Sequence, residues 1–147
     1  MMPGGGTPVG ELKADSGTSA ETTEVVDSGE CGENLSWTLD SDGVLEITGT
    51  GEMWDYTTAV ENGIYRTSAP WGETDVKELR LTEGLTSIGE CAFYSCDGFT
   101  GSLTLPESLT SIGDYAFCYC SGFTGSLTLP EGLTSIGDYA FHYCRGF

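Results

Sequence analysis

The sequence predicts an α+β repeat solenoid, mostly β, with a small β-rich cap in front of the repeats. Two observations carry this prediction. The string LTSIG occurs three times, at residues 85–89, 109–113 and 133–137, so that like residues lie 24 positions apart. An alternating apolar pattern interrupted by Asp42-Gly43 precedes these strings. A fixed repeat of this length is typical of a solenoid that adds one supersecondary unit per turn.

Three zones follow one another along the chain. Residues 1–30 are rich in Gly, Ser, Thr and Glu and hold few large apolar side chains. Such a segment cannot bury enough apolar surface to fold, so we expect a disordered acidic linker there. Residues 31–75 form the predicted cap, and residues 76–147 hold about three repeats, the last of which looks truncated.

The cap is predicted to contain a β-hairpin. Apolar residues alternate through Leu35–Leu39 and again through Val44–Ile47, and Asp42-Gly43 separates the two runs. A tight hairpin turn needs positive φ angles, which Gly tolerates best. Five further residues supply large apolar area close to the first repeat: Trp37, Met53, Trp54, Tyr56 and Trp71.

Each repeat combines a short strand, a bend and a turn. Leu103–Leu105 is followed by Pro106, and Leu127–Leu129 by Pro130. Each segment is therefore predicted to be a short strand that has both leucines inward and ends at the proline. Gly113 permits a bend before Asp114–Phe117, where we expect a single helical or 3₁₀ turn. The apolar set of one repeat is too small to offset its own backbone entropy, so neighbouring repeats must share a core.

Composition narrows the choice of partners. The chain carries 23 acidic and 5 basic residues, a formal net charge of −18. Nucleic acids and anionic membranes are bound through Lys and Arg, so we expect neither as a partner. We also expect no membrane span, because no stretch approaches the roughly 18 consecutive apolar residues that spanning requires. No secretory signal is visible at the start of this chain.

The repeat motif LPxxLTSIGxxAFxxCxxF resembles the BspA-like, treponemal-type leucine-rich repeat family. The preceding CGENLSWTLDSDGVLEITGTGEMWDY, together with Ala69-Pro70-Trp71, resembles the flank often found before such repeats. The resemblance covers roughly residues 31–147. It implies a right-handed leucine-rich repeat coil, a bacterial cell-surface or extracellular location, and adhesion or protein binding. It implies no catalytic residues, and we expect no cofactor.

The outward face of the predicted strands is the candidate binding surface. If the leucines of each strand point inward, the intervening hydroxyl and charged residues point outward and form rows that can dock a protein or glycan. Two alternatives stay open, a structural spacer for another domain and an ice-binding Ser/Thr array. Ser and Thr also favour strands without binding anything. The predicted partner-binding residues are Glu78, Arg80, Ser102, Thr104, Ser126 and Thr128.

The cysteines are predicted to be structural. Cys96, Cys120 and Cys144 share one position of the repeat, so we expect a column of buried, reduced thiols. Zinc binding by Cys118, Cys120, His142 and Cys144 is a weaker alternative, since residues two apart in a turn do not face the same way. We therefore predict no metal site. Whether Cys31 and Cys91 form a disulfide stays open.

We predict that the chain is not an enzyme. The single histidine, His142, occupies a repeat position that holds Tyr94 and Cys118 in the other repeats. A variable position of a structural repeat is an improbable place for the base of a Ser/His/Asp-type site. The recurrent carboxylates Glu90, Asp114 and Asp138 share one repeat position, which favours a role in turns or capping.

The last repeat is expected to take part in self-association. Phe141 and Phe147 have no further repeat beyond them in this chain. An uncovered repeat exposes apolar surface and an open strand edge, both of which promote contact with a second copy.

Overall fold

The computed structural model describes residues 23–147, and these contain ten β-strands and no helix. They form two four-stranded sheets, β1-β2-β3-β7 and β4-β8-β9-β10, and the separate hairpin β5-β6. The strands are β1 (Val25–Gly32), β2 (Leu35–Asp40), β3 (Val44–Gly49), β4 (Gly51–Glu52), β5 (Thr58–Glu61), β6 (Ile64–Thr67), β7 (Glu78–Leu81), β8 (Leu85–Ile88), β9 (Ser111–Ile112) and β10 (Ser135–Ile136).

The predicted hairpin is confirmed. Strands β2 and β3 pair antiparallel, with Leu39 opposite Leu45, and Gly43 adopts a φ of 84°. The Asp40 carboxylate accepts the backbone N–H groups of Asp42 (2.9 Å) and Val44 (3.0 Å). These bonds satisfy donors that a tight turn leaves without a main-chain partner.

The linker expected over residues 1–30 extends too far, because Val25–Gly32 forms β1 at the edge of the first sheet. This strand pairs antiparallel with β2, and Gly29 lies opposite Trp37. Within β1 only Cys31 and Gly32 are buried, so the strand is held mainly by main-chain hydrogen bonds. Its amino-acid composition therefore does not predict a strand. The expected disorder of residues 1–22 lies outside the described residues.

The three LTSIG strings lie side by side. Strands β8, β9 and β10 are parallel, and Ile112 pairs with Ile88 on one side and with Ile136 on the other. Like residues of successive repeats are therefore direct neighbours in this sheet.

Aromatic side chains form two columns through the core. In the first column, Trp71 stacks on Phe93 (5.4 Å between ring centroids), Phe93 on Phe117 (5.2 Å), and Phe117 on Phe141 (5.3 Å). The second column contains Phe99, Phe123 and Phe147, at 5.3 and 5.9 Å. Offset aromatic stacks at these distances add stabilisation to the area they bury.

The N-terminal segment supplies strand neighbours for the first repeat. Strand β3 pairs in parallel with β7, placing Leu45 beside Leu79 and Ile47 beside Leu81. Strand β4 pairs in parallel with β8, and Trp71 covers Phe93. The first repeat is thus covered on the side that faces away from the second.

The expected strands at Leu103–Leu105 and Leu127–Leu129 are wrong as secondary structure, since neither segment is a strand. The two leucines of the first segment are buried as predicted, but Leu129 is exposed. Proline follows each of the two segments and lacks the backbone N–H that a ladder needs. The equivalent β7 ends at Leu81 before a threonine and pairs with β3.

The helical turn expected at Asp114–Phe117 is also wrong, because alternate N–H groups bond to the next repeat. Phe117 donates to the Ala140 carbonyl and Tyr119 to that of His142, each at 2.8 Å. The intervening N–H groups bond within the repeat, as Cys118 does to Tyr115 at 3.3 Å. This alternation requires positive φ at Tyr115 (59°) and Tyr119 (65°), which is incompatible with a right-handed helix.

Candidate binding surface

Four of the six predicted binding residues line one open cavity. Glu78, Arg80, Ser102 and Thr104 surround it together with Glu46, and its volume is about 580 Å³. The cavity lies where strand β7 of the first repeat adjoins the corresponding segment of the second repeat. The structure therefore brings together the charged pair and the first two hydroxyl residues.

Ser126 and Thr128 lie one repeat further along, outside this cavity. Both are exposed, and the N–H of Thr124 donates to the Gly101 carbonyl at 2.9 Å, which aligns this segment with the preceding one. We refer to the four exposed hydroxyl residues as the hydroxyl row, which comprises Ser102, Thr104, Ser126 and Thr128.

The side chains of the hydroxyl row accept or donate no hydrogen bond to any other residue within 23–147. Other hydroxyls of the same repeats are engaged. Thr110 donates to the Thr86 carbonyl, and Thr134 donates to the Thr110 carbonyl, each at 3.0 Å. The hydroxyl row is thus free to bond a partner without breaking an internal bond, whereas the Thr110 and Thr134 hydroxyls hold adjacent repeats together.

The charged end of the surface carries an ion pair. Arg80 Nε donates to Glu78 Oε2 at 2.8 Å, and both side chains are exposed. This hydrogen bond is the main cause that raises the pKa of Arg80, so the guanidinium stays charged. Glu46 lies beside Arg80 in the β3–β7 pairing. Exposed pairs contribute little to stability, and their charges are available to a partner.

The zinc arrangement considered from sequence is not formed. Cys120 Sγ donates to the Phe93 carbonyl (3.0 Å), and Cys144 Sγ donates to the Phe117 carbonyl (2.9 Å). His142 is exposed and packs against the Tyr143 ring, with 4.2 Å between ring centroids. Among residues 23–147 no group of three or more His, Cys, Asp or Glu is placed to hold a metal ion.

The column of buried thiols is confirmed for Cys96 and Cys120, while Cys144 is half-buried. Burial raises the pKa of Cys96 to about 12 and that of Cys31 to about 11, so these sulfurs stay protonated and unreactive at neutral pH. Cys31 and Cys91 are both free thiols.

Of the three recurrent carboxylates, the predicted capping role is confirmed for Asp114. The Asp114 carboxylate accepts the backbone N–H of Asp138 at 2.7 Å. The carboxylate of Asp55, in the N-terminal segment, accepts the N–H of Glu90 at 2.9 Å. Glu90 and Asp138 occupy the same repeat position, so in both repeats a carboxylate accepts the backbone N–H at that position.

Residues 70–147 match the family model described as "BspA type Leucine rich repeat region (6 copies)". The chain belongs to this BspA-type leucine-rich repeat family. The resemblance seen in the repeat motif is thereby confirmed.

Two solved structures are similar to this BspA-type chain. A leucine-rich repeat protein from Eubacterium ventriosum is 36% identical with a TM-score of 0.64, over 79% of this chain and 29% of that protein. A leucine rich cell surface protein from Faecalibacterium prausnitzii is 19% identical with a TM-score of 0.45, over 86% of this chain and 35% of that one. The chain thus spans under a third of the Eubacterium protein. No curated protein matches the chain.

Sequence reasoning missed two rows of exposed tyrosines on these BspA-type repeats. Tyr115 stacks on Tyr139 at 5.3 Å and Tyr119 on Tyr143 at 5.0 Å, with the ring planes within 18°. All four side chains are 38–57% exposed, and their φ angles are 58–65°. Their recurrence at the same positions of the second and third repeats was the available signal. We call these residues the tyrosine rows.

The residues of this BspA-type chain that the structure describes include no helix long and apolar enough to cross a membrane.

Proposed function

We propose that this BspA-type chain is a non-catalytic binding module of a bacterial cell-surface or secreted protein. It contacts a protein or glycan partner through the hydroxyl row and the Glu78–Arg80 pair. The observation that carries this proposal is the cavity of about 580 Å³, in which Ser102 and Thr104 join this ion pair.

The architecture that we propose for this role is a right-handed leucine-rich repeat solenoid with a 24-residue period. Residues 31–75 form its β-rich cap. The pairing of Ile88, Ile112 and Ile136 supports the period, and the parallel pairing of β3 with β7 supports the cap. A stack of this kind presents like residues of successive repeats as rows on a rigid surface.

The chemistry of the surface suits a polar partner. Each free hydroxyl both donates and accepts hydrogen bonds, and the carboxylates and guanidinium at one end add charges of both signs. A glycan or a protein loop can satisfy these groups at little cost, because no internal hydrogen bond must break first.

The two alternatives have less support. An ice-binding array needs hydroxyls in regular register, but the hydroxyl row lies in segments that are not β-strands. A pure spacer needs no exposed cavity with unengaged hydroxyls, and it would bind nothing.

The proposal is tested with a glycan array and a pull-down against matrix proteins. Thr104→Arg and Thr128→Arg place a long charged side chain on the hydroxyl row and should abolish capture of the partner while the melting temperature is kept. Val60→Arg adds the same charge at an exposed position of β5 and should leave binding intact. Blank arrays and blank pull-downs with the unmodified chain would reject the proposal in favour of a spacer.

A further inference from the structure

Cys91 occupies the place that a tyrosine takes in the next two repeats. Its N–H donates to the Asp114 carbonyl at 3.0 Å, just as the N–H of Tyr115 donates to the Asp138 carbonyl at 2.9 Å. Its φ of 56° also matches the 59° of Tyr115 and the 58° of Tyr139. The backbone is therefore the same at all three positions, and only the first lacks a ring.

The missing ring leaves a cavity. The Tyr115 ring stacks on Tyr139 at 5.3 Å, and Tyr94 of the preceding repeat lies tilted against it at 6.3 Å between ring centroids. At the position equivalent to Tyr115 in that preceding repeat, Cys91 offers only a small side chain. A cavity of about 410 Å³ lies at this point, and we call it the Cys91 cavity. Its walls include Tyr56, Glu90, Cys91, Tyr94, Asp114 and Tyr115.

The Cys91 cavity is electronegative. Glu90 and Asp114 line it, and Asp55 lies beside it, bonded to the N–H of Glu90. The pKa of the Cys91 thiol is raised first by burial and then by Glu90, Asp114 and Asp55, in that order. Three carboxylates thus act on the same point, within a chain that carries a net charge of −18.

A tyrosine of the other row, which contains Tyr119 and Tyr143, already carries a cation. The guanidinium carbon of Arg145 lies 4.8 Å from the centroid of the Tyr143 ring, at the other end of the tyrosine rows. This distance is typical of a cation–π contact.

We infer that the Cys91 cavity receives an arginine side chain of a partner protein, stacked on Tyr115 and paired with Glu90 and Asp114. A planar guanidinium stacks on an aromatic ring and directs its forked N–H donors at carboxylates in its own plane. The compact ammonium of lysine supplies charge without that planar fit. The complementary charge draws such a partner toward this acidic chain.

This site is separate from the proposed hydroxyl-row surface. The Cys91 cavity and the cavity beside Glu78 and Arg80 have no lining residue in common. Variants at one leave the other unchanged, so the two proposals fail independently.

The test uses N-acetyl-argininamide as the probe, with N-acetyl-citrullinamide as an uncharged analogue of the same shape and N-acetyl-lysinamide as a non-planar cation. Each is titrated into the full chain with isotope-labelled tyrosine, and the ring signals are followed by NMR. We expect saturable shifts of Tyr115 and Tyr94 with the arginine probe. Affinity should fall about fivefold or more for the lysine and citrulline probes. Equal affinity of either analogue overturns the assignment.

Variants locate the binding. Cys91→Tyr restores the ring that the next two repeats carry, so it fits the backbone, fills the cavity and should remove the Tyr115 shifts. Glu90→Gln should weaken binding about fivefold or more through loss of one charge. Glu131→Gln, at an exposed residue of the third repeat that does not line the cavity, serves as the matched control and should have no effect. Unchanged arginine binding in folded Cys91→Tyr, or in Glu90→Gln, overturns the proposal.

Discussion

Trp71 and Phe93 stack with their ring centroids 5.4 Å apart, and Trp71 Nε1 donates to the carbonyl of Ala92 at 2.8 Å. One side chain of the N-terminal segment thus continues the aromatic column of the repeats and bonds their backbone. Trp71 is completely buried and also contacts Trp37 and Tyr56 edge to face. The N-terminal segment and the first repeat therefore form one core.

Replacement of Trp71 should destabilise the whole described region. Trp71→Ala leaves a large cavity and should lower the free energy of unfolding by about 3–5 kcal/mol. Trp71→Phe keeps a ring but leaves the Ala92 carbonyl without its donor, which should cost about 1–3 kcal/mol. Urea denaturation followed by circular dichroism measures both. Trp54→Ala is the control, because Trp54 is 47% exposed, and a cost equal to that of Trp71→Ala would contradict this account.

The pairing of the repeats could be predicted because the same residue types recur at the same positions of each repeat. Each LTSIG string places an isoleucine at the same position, and burial of Ile88 and Ile112 requires only that like residues lie side by side. The Asp42-Gly43 turn was predictable for a similar reason, since the positive φ of Gly43 restricts which residues fit. Strand β1 could not be predicted in this way, because it is held by main-chain hydrogen bonds, which do not depend on particular residue types.

The turns of the repeats could not be predicted from local preference. A bulky residue at positive φ is rare, yet Tyr115 and Tyr119 adopt it because their N–H groups bond to the next repeat. That gain exists only after the repeats have stacked. The same limit, that local sequence does not reveal contacts between repeats, applies to the candidate sites. Alternation along the segment predicted that the hydroxyls of Ser102 and Thr104 face outward. The Cys91 cavity could not be predicted, because it depends on which residues of neighbouring segments surround one small side chain.

Close packing of successive repeats makes particular glycines indispensable. A methyl group at Gly122 would overlap the carbonyl oxygen of Phe99 in the preceding repeat, whereas at Gly132 it would lie 3.9 Å from the nearest carbonyls. Gly122→Ala should therefore lower the free energy of unfolding by about 1–3 kcal/mol, and Gly132→Ala should change it by less than about 0.5 kcal/mol. Thermal melts of the two variants provide the comparison. Equal melting temperatures would show that the repeats pack less tightly than described.

Stability should fall at alkaline pH. The pKa of Cys96 is raised from 9.0 to about 12 by burial, and then by Asp97. Above pH 9 the unfolded chain loses a proton that the folded chain retains, so stability is complete below that pH and declines as the pH rises toward about 12. Melting temperatures measured in steps between pH 7 and pH 11 should decline at the upper end, and Cys96→Ala should make the decline less steep. An unchanged slope in this variant would exclude Cys96 as a cause.

The last repeat should promote self-association of the chain. Strand β10 is the outer strand of its sheet, and Ile136, Leu129 and Phe147 are exposed there. A second copy can pair with this edge and cover the apolar side chains. Light scattering at increasing protein concentration should therefore report a mass above that of one chain.

Two matched substitutions locate the contact. Ile136→Lys introduces a charge at a side chain that is 44% exposed and should keep the chain monomeric, since an edge lysine opposes strand pairing. Ile64→Lys makes the same change at a side chain that is 56% exposed on the β5-β6 hairpin and should leave association unaltered. An equal reduction in mass by both variants would indicate a general effect of charge, and a constant single-chain mass of the unmodified protein would remove this edge as an interface.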